Sequence, residues 1–227
     1  MKSSLKNMVL VLFCISLIAS LCLGLVNMIT EGPIAAAKEK AKQEALMQVL
    51  PEFDEVKADS TYTVDKLEIP TYKAMKGDKV VGYAIESATK NGFSGEIKLM
   101  VGFDTKGTIL NVNVLKQAET PGLGAKMVEE GNPLLTSIKG KKAAKTNIAV
   151  KKDGGDIDAL TAATISSRAY AEAVSRAYAV FKVAAGWSDK VEAYTGATRT
   201  DDDADDDAEE WSQRGNFEPK SNRGKEE

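Results

Sequence analysis

Four hydroxyl side chains, Thr161, Thr164, Ser166 and Ser167, fall within seven positions of the segment Asp158-Ala159-Leu160-Thr161-Ala162-Ala163-Thr164-Ile165-Ser166-Ser167. The segment stands where a strand-like region gives way to a strongly helical one. A helix start exposes backbone N–H groups that lack intrahelical acceptors, at the positive end of the helix dipole. With hydroxyls added, that is chemistry suited to a phosphate. The same residue types also cap helices that bind nothing, and the cluster alone leaves both readings open. A second cluster lies upstream, Glu119-Thr120-Pro121-Gly122-Leu123-Gly124. Here Pro121 presets a turn, and Gly122 and Gly124 would let the backbone approach a flat ligand. A plain Pro-Gly turn needs far less than this hexapeptide.

The 227-residue chain suits one membrane anchor plus one domain of ordinary size. It has no histidine, which excludes triad hydrolysis and histidine-based metal chemistry. Its two cysteines, Cys14 and Cys22, both sit in the N-terminal apolar run, so neither a disulfide framework nor a C-x-x-C metal site is available to the rest. No basic stripe is interleaved with aromatics, which argues against nucleic acid. Residues 201–227 hold eleven acidic and four basic side chains, so the overall charge of −3 conceals +4 over residues 1–200. That acidic tail has no periodic apolar pattern and is expected to be disordered.

Met8 to Met28 is apolar apart from serines and Asn27, long enough to cross a bilayer as a helix. A cleaved signal peptide is the competing reading, but the run exceeds a usual signal core and Glu31-Gly32-Pro33 separates it from Ala35-Ala36-Ala37. We read it as an uncleaved anchor; flanking lysines on both sides leave its orientation undecided by charge. Residues 35–50 then predict a helix ended by Pro51, with Ala41, Ala45, Leu46, Val49 and Leu50 docking on the domain. Residues 61–85 predict short strands with turns at Pro70 and Lys76-Gly77-Asp78. A hairpin follows, Gly95 to Phe103 and Thr108 to Leu115, with Ile97, Leu99, Val101, Ile109, Val112 and Val114 on its buried face. The glycine-rich loop leads toward a helix, Ile148 to Lys151 reads as a short strand, and Asp153-Gly154-Gly155-Asp156 as a turn. A long helix is predicted over Ile165 to Ala185, with Ala169, Ala173, Ala177, Phe181 and Ala184 on one narrow face and Gly186 as its stop. The fold class is α+β: an N-terminal transmembrane helix, then a compact domain with a twisted, mostly antiparallel sheet and packed helices. The expected division is an anchor over 1–30, a juxtamembrane helix and leading strands over 31–79, a core domain over 80–186 and an extension over 187–227.

Taken together, the two clusters resemble the FMN-binding subunits of Rnf complexes and of Na⁺-translocating NADH:quinone reductase. The segment ending at Thr164 is similar to that family's covalent-flavin motif, and Glu119 to Gly124 to its ETPGLG loop. A glycine-containing stretch, Asn91-Gly92-Phe93-Ser94-Gly95-Glu96, precedes the loop, and the Gly154-Gly155 turn precedes the threonine, in the family's order. The resemblance implies covalent FMN, its phosphate esterified to Thr164. It places Glu119, Thr120, Gly122, Leu123, Gly124, Lys126, Thr161, Ala162, Ala163, Ser166 and Ser167 around the cofactor. Asp158 and Thr161 would present the segment to the flavin transferase that installs FMN. The implied partners are other membrane redox subunits of an Rnf-type complex, the transferase and the membrane. The implied setting is the bacterial inner membrane, with a single pass and the domain on the periplasmic side. Within the family the G subunit of Rnf fits better than the C subunit of the quinone reductase, the chain being short.

Two positions depart from the pattern. Ala162 stands where glycine is common, and Gln117 lies near a position where family members often carry histidine. Tyr194-Thr195-Gly196-Ala197-Thr198 offers an alternative threonine, but it has Glu192 in place of the aspartate and runs into the acidic tail. A flavin-free membrane-anchored scaffold is the rival reading, with Ala162 as its best support. A stand-alone flavin reductase would want a nicotinamide site, and no G-x-G-x-x-G follows a strand.

Overall fold

The computed structural model describes residues 5–188. One helix, α1 (Leu5–Val49), runs unbroken through both predicted helical stretches. Pro33 lies inside it; its missing N–H and its ring cost one turn of regular bonding without ending the helix. In the apolar part the hydroxyls of Ser16 and Ser20 donate to carbonyls one turn back at 2.9 and 2.8 Å, which satisfies both donors within the helix. By length and composition this helix could cross a membrane, and its most apolar stretch is wholly exposed. Only its last turns dock: Ala45, Leu46 and Val49 are buried, whereas Ala41, expected among them, is exposed.

Five antiparallel strands follow in chain order, β1 (Glu55–Val64), β2 (Leu67–Lys76), β3 (Lys79–Thr89), β4 (Ile97–Asp104) and β5 (Ile109–Lys116). The turn between β1 and β2 is Asp65-Lys66, both with positive φ (51° and 63°), and Pro70 sits inside β2 opposite Thr61. The proline was expected to mark a turn. It is accommodated because the β2–β3 pairing begins only at Thr71, so its missing N–H breaks no ladder on that side. The turn at Gly77 is as expected. On β5, Ile109 and Val112 share a face despite a three-residue spacing, because the register shifts between Gly102 and Phe103 and Leu110 is the extra residue of a bulge.

The sheet has two covered faces. On one, Ile85, Leu99, Val101 and Phe103 pack against the long helix α3 (Thr164–Ala184), with Phe103 stacked on Phe181 at 4.8 Å and Tyr83 edge-on to it at 5.4 Å. On the other, Tyr72, Ala74, Ala84 and Met100 meet the end of α1, where Gly102 lets the Val49 carbonyl rest on the strand; a Cβ there would overlap it. The predicted helix after the glycine-rich loop is only a 3₁₀ turn (Gly124–Val128) and a single-turn helix α2 (Pro133–Thr136). The predicted strand at 148–151 is one parallel bridge, Val150 to Ile157, followed by a 3₁₀ turn (Lys151–Asp153). With Gly186 at φ +72° and Trp187 N–H donating to Lys182 O at 2.7 Å, α3 ends as a Schellman motif. The 189–227 segment, including Thr198 and the acidic tail, lies outside the described residues.

Candidate functional site

The start of α3 is uncapped. Its N-cap residue is Ala163, and no side chain accepts a hydrogen bond there. The cap reading of the hydroxyl cluster therefore does not hold in the folded chain: Thr164, Ser166 and Ser167 are engaged elsewhere, and Thr161 makes no cap bond. Ser167 Oγ, buried, donates to Ala163 O at 2.8 Å and accepts from the Leu160 N–H at 2.9 Å. Ser166 Oγ, also buried, donates to the Glu119 carboxylate. Thr161 is exposed. Thr164 is half-buried at the first helical position, where its Oγ1 accepts from Lys152 Nζ at 3.1 Å. The first-turn N–H groups thus meet no capping side chain and stay open to an anionic acceptor.

Two turns flank this helix start. Thr120-Pro121-Gly122-Leu123 is closed by the Leu123 N–H on Thr120 O at 3.1 Å, with Gly122 at φ +76°. Leu160-Thr161-Ala162-Ala163 is closed by the Ala163 N–H on Leu160 O at 3.2 Å, with Ala162 at φ +57°. Both carry the positive φ at the third residue that a type II turn requires. Glu119, 4% exposed, binds the surrounding loops together: Oε1 accepts from the Ser94 N–H at 3.1 Å and Oε2 from Ser166. Gly124 was expected to let the backbone approach a ligand. Its lack of a Cβ also lets the loop approach α3, since a Cβ there would meet Ser166 Oγ and Glu119.

Between the turns lies a cleft of about 320 Å³ lined by Phe93, Thr120, Leu123, Gly124, Ala162, Ala163, Thr164, Ile165 and Ser166. Its rim is apolar and open: Phe93 is 65%, Ile165 49% and Leu123 40% exposed. Six of the residues named from sequence for a cofactor, besides Thr164 itself, line it: Thr120, Leu123, Gly124, Ala162, Ala163 and Ser166. Glu119 and Ser167 sit behind it, while Gly122, Lys126 and Thr161 lie on the surface outside the lining. Asp158 is outside it too, half-buried and paired with Lys151 at 2.6 Å.

Sequence reasoning missed Phe93, Ile165 and Lys152. An exposed aromatic between glycines was the available signal for Phe93; Lys152 gave none. The Lys152 turn is held on α3 by Arg168, whose Nε and Nη2 donate to the two Asp153 oxygens at 2.8 and 2.6 Å. The Arg168 guanidinium holds the Asp153 carboxyl below its ordinary range. The loop bearing Phe93 is anchored at its other end as well: Asn91 Nδ2 donates to Glu172 Oε2 at 2.9 Å, and Arg176 Nη2 to Glu172 Oε1 at 2.8 Å.

Residues 92–179 match the model of the FMN-binding domain. The G subunit of an ion-translocating oxidoreductase complex from Shewanella baltica (strain OS223) is 37% identical over 180 residues, which are 73% of this chain and 85% of that protein. The protein of the same name from Escherichia coli (strain K12) is 38% identical over 162 residues, 67% of this chain and 79% of its own length. That from Salmonella typhi is 39% identical over 164 residues, 68% and 80% respectively.

Proposed function

This chain belongs to the family of G subunits of ion-translocating oxidoreductase complexes, and we propose that it holds FMN as a phosphoester on Thr164 and relays electrons between other subunits. The observation that carries the reading is the Thr164 hydroxyl in the first turn of an uncapped helix, on the wall of an apolar cleft. The residues fit the group. The cleft is at the lower end of the roughly 300–1,000 Å³ of ligand sites, room for a flat ring system with its phosphate tail at the helix start. Leu123, Phe93 and Ile165 offer apolar surface to the ring and exclude water from it. The first-turn N–H groups, uncapped by any side chain, would donate to the phosphoryl oxygens. Bound there, the flavin supplies the redox chemistry.

No side chain lining the cleft is an acid, a base or a metal ligand, which suits a carrier better than a substrate-processing enzyme. Ala162, the one letter favouring a flavin-free scaffold, adopts the left-handed conformation a glycine would, so its backbone does not depart from a working motif. The apolar part of α1 is read as a single pass of the bacterial inner membrane, with the domain on the extracytoplasmic side. A flavin transferase there installs the cofactor, meeting the exposed face of Thr161 and the flank at Asp158.

Coexpression with a flavin transferase, followed by denaturing electrophoresis, tests this directly. The wild-type band and Thr198→Ala should fluoresce, and Thr164→Ala should be dark. A dark wild type, with the transferase active on another target, overturns the covalent reading; fluorescence lost only in Thr198→Ala moves the attachment to that residue.

A further inference from the structure

Around Thr164 one cation is placed differently from its neighbours. Lys151 is paired with Asp158 at 2.6 Å, and Arg168 with Asp153 at 2.6 Å. Lys152 lies within salt-bridge distance of no carboxylate among the described residues; its ammonium donates to Thr164 Oγ1 at 3.1 Å. The turn that carries it is built rather than loose. The Lys151 N–H donates to Ile157 O at 2.8 Å, the Asn147 N–H to Asp156 Oδ2 at 2.8 Å, and Asn147 Nδ2 to Gly154 O at 3.0 Å. Gly155 lies so close to Ala149 that a Cβ would overlap the Ala149 carbonyl. Arg168, on the second turn of α3, clamps Asp153 beside it. A lysine held over a hydroxyl at an open helix start has the charge and the position to meet a phosphoryl group arriving on that hydroxyl.

We propose that Lys152 is the phosphate-recognition residue of the attachment site, binding the phosphoryl oxygens as the Thr164 ester forms and pairing with the ester's charge afterwards. The inference rests on Thr164 being the attached residue. A threonine ester of FMN requires an activated phosphate, so the donor is a flavin phosphoanhydride such as the flavin dinucleotide. The Thr164 Oγ–phosphorus bond forms and the anhydride P–O bond breaks. The nucleoside monophosphate leaves with the bonding pair, and the hydroxyl proton passes to a base of the transferase. No electron is gained or lost. The phosphodiester left behind has one negative charge, next to the Thr164 oxygen that the Lys152 ammonium reaches at 3.1 Å.

The test follows flavin fluorescence on the denatured band over time, with the full chain, the transferase and limiting flavin adenine dinucleotide, at low and high salt. Lys152→Met should label about tenfold more slowly at low salt, the worth of one charged hydrogen bond, and should lose most of the salt dependence. Lys152→Arg should stay near the wild-type rate, because it keeps the charge. On the completed esters, the ³¹P resonance should shift in Lys152→Met and not in Lys152→Arg. Thermal midpoints of both variants should match the wild type, Lys152 being exposed. Equal labelling of wild type and Lys152→Met, or an equal loss in Lys152→Arg, overturns the proposal. A wild type that never labels refutes instead the covalent reading on which it rests.

Discussion

Two turns built on one plan stand on either side of the cleft, and they differ at the residue that matters most to each. Thr120–Leu123 places glycine at its left-handed third position, φ +76°. Leu160–Ala163 places alanine there, φ +57°. Glycine takes this conformation freely, whereas an L side chain costs about 1–2 kcal/mol. The first turn is therefore relaxed by its own sequence. The second is imposed by its surroundings: Ser167 ties Leu160 N–H and Ala163 O to the helix, and α3 behind it is packed into the core. A turn that leads into the helix start at Thr164 can bear strain when the scaffold over-determines it.

The largest test of this contrast removes what joins the two turns. Glu119→Ala leaves the buried Ser166 hydroxyl and the Ser94 N–H without their acceptor, at about 1–3 kcal/mol for each group. Denaturant titration should show a loss of about 2–4 kcal/mol, the upper part of the range being damped by water entering the opened cleft. Glu119→Gln, which keeps the shape and one carbonyl acceptor, should lose less than half as much. Equal losses would mean that the charge, rather than the bridging geometry, holds the turns together.

Gly122→Ala comes next. A Cβ at Gly122 meets nothing within 4 Å, so its cost is conformational alone. Stability should fall by about 1 kcal/mol, read as a lower thermal midpoint. An unchanged midpoint would mean that the loop can abandon its turn and that the two turns are not alike after all.

How much of this was legible beforehand depends on where each residue's partner lies. The alternation of Ile97, Leu99, Val101 and Phe103 announced β4 because a strand's faces are set by its own sequence. The three-residue step from Ile109 to Val112 hid the β5 bulge, which exists only in the pairing with β4. Asp65-Lys66 turns the chain without glycine, and the Asp65 carboxylate is engaged by Arg176 at 3.2 Å, 111 residues away. At the site, Thr164 and the two clusters were readable from local types and spacing. The burial of Glu119 and Ser167, the approach of Phe93 and the reach of Lys152 were not, because each depends on an element distant in sequence. The unbroken α1 was missed for a related reason. Gly32-Pro33 is a local signal for a break, yet Pro33 interrupts only its own turn, and α1 continues to its docking turns at Ala45, Leu46 and Val49.

The smallest effect discriminates most finely, because it has the opposite sign. Ala162→Gly relieves the left-handed alanine but adds freedom to the unfolded chain, about 0.4–1 kcal/mol in opposition. The relief outweighs the added freedom, so the folded state should gain about 0.5 kcal/mol, a rise of roughly 1–2 °C in the thermal midpoint. Ala162 is exposed and lines the cleft, so losing its methyl group empties no core and widens only the mouth. Gly122→Ala and Ala162→Gly thus form a matched pair, the same chemical exchange in opposite directions at equivalent positions. A fall in midpoint for Ala162→Gly would place Ala162 outside the left-handed region in solution. The second turn would then not be the strained counterpart of the first, and the open start of α3 at Thr164 would need another support.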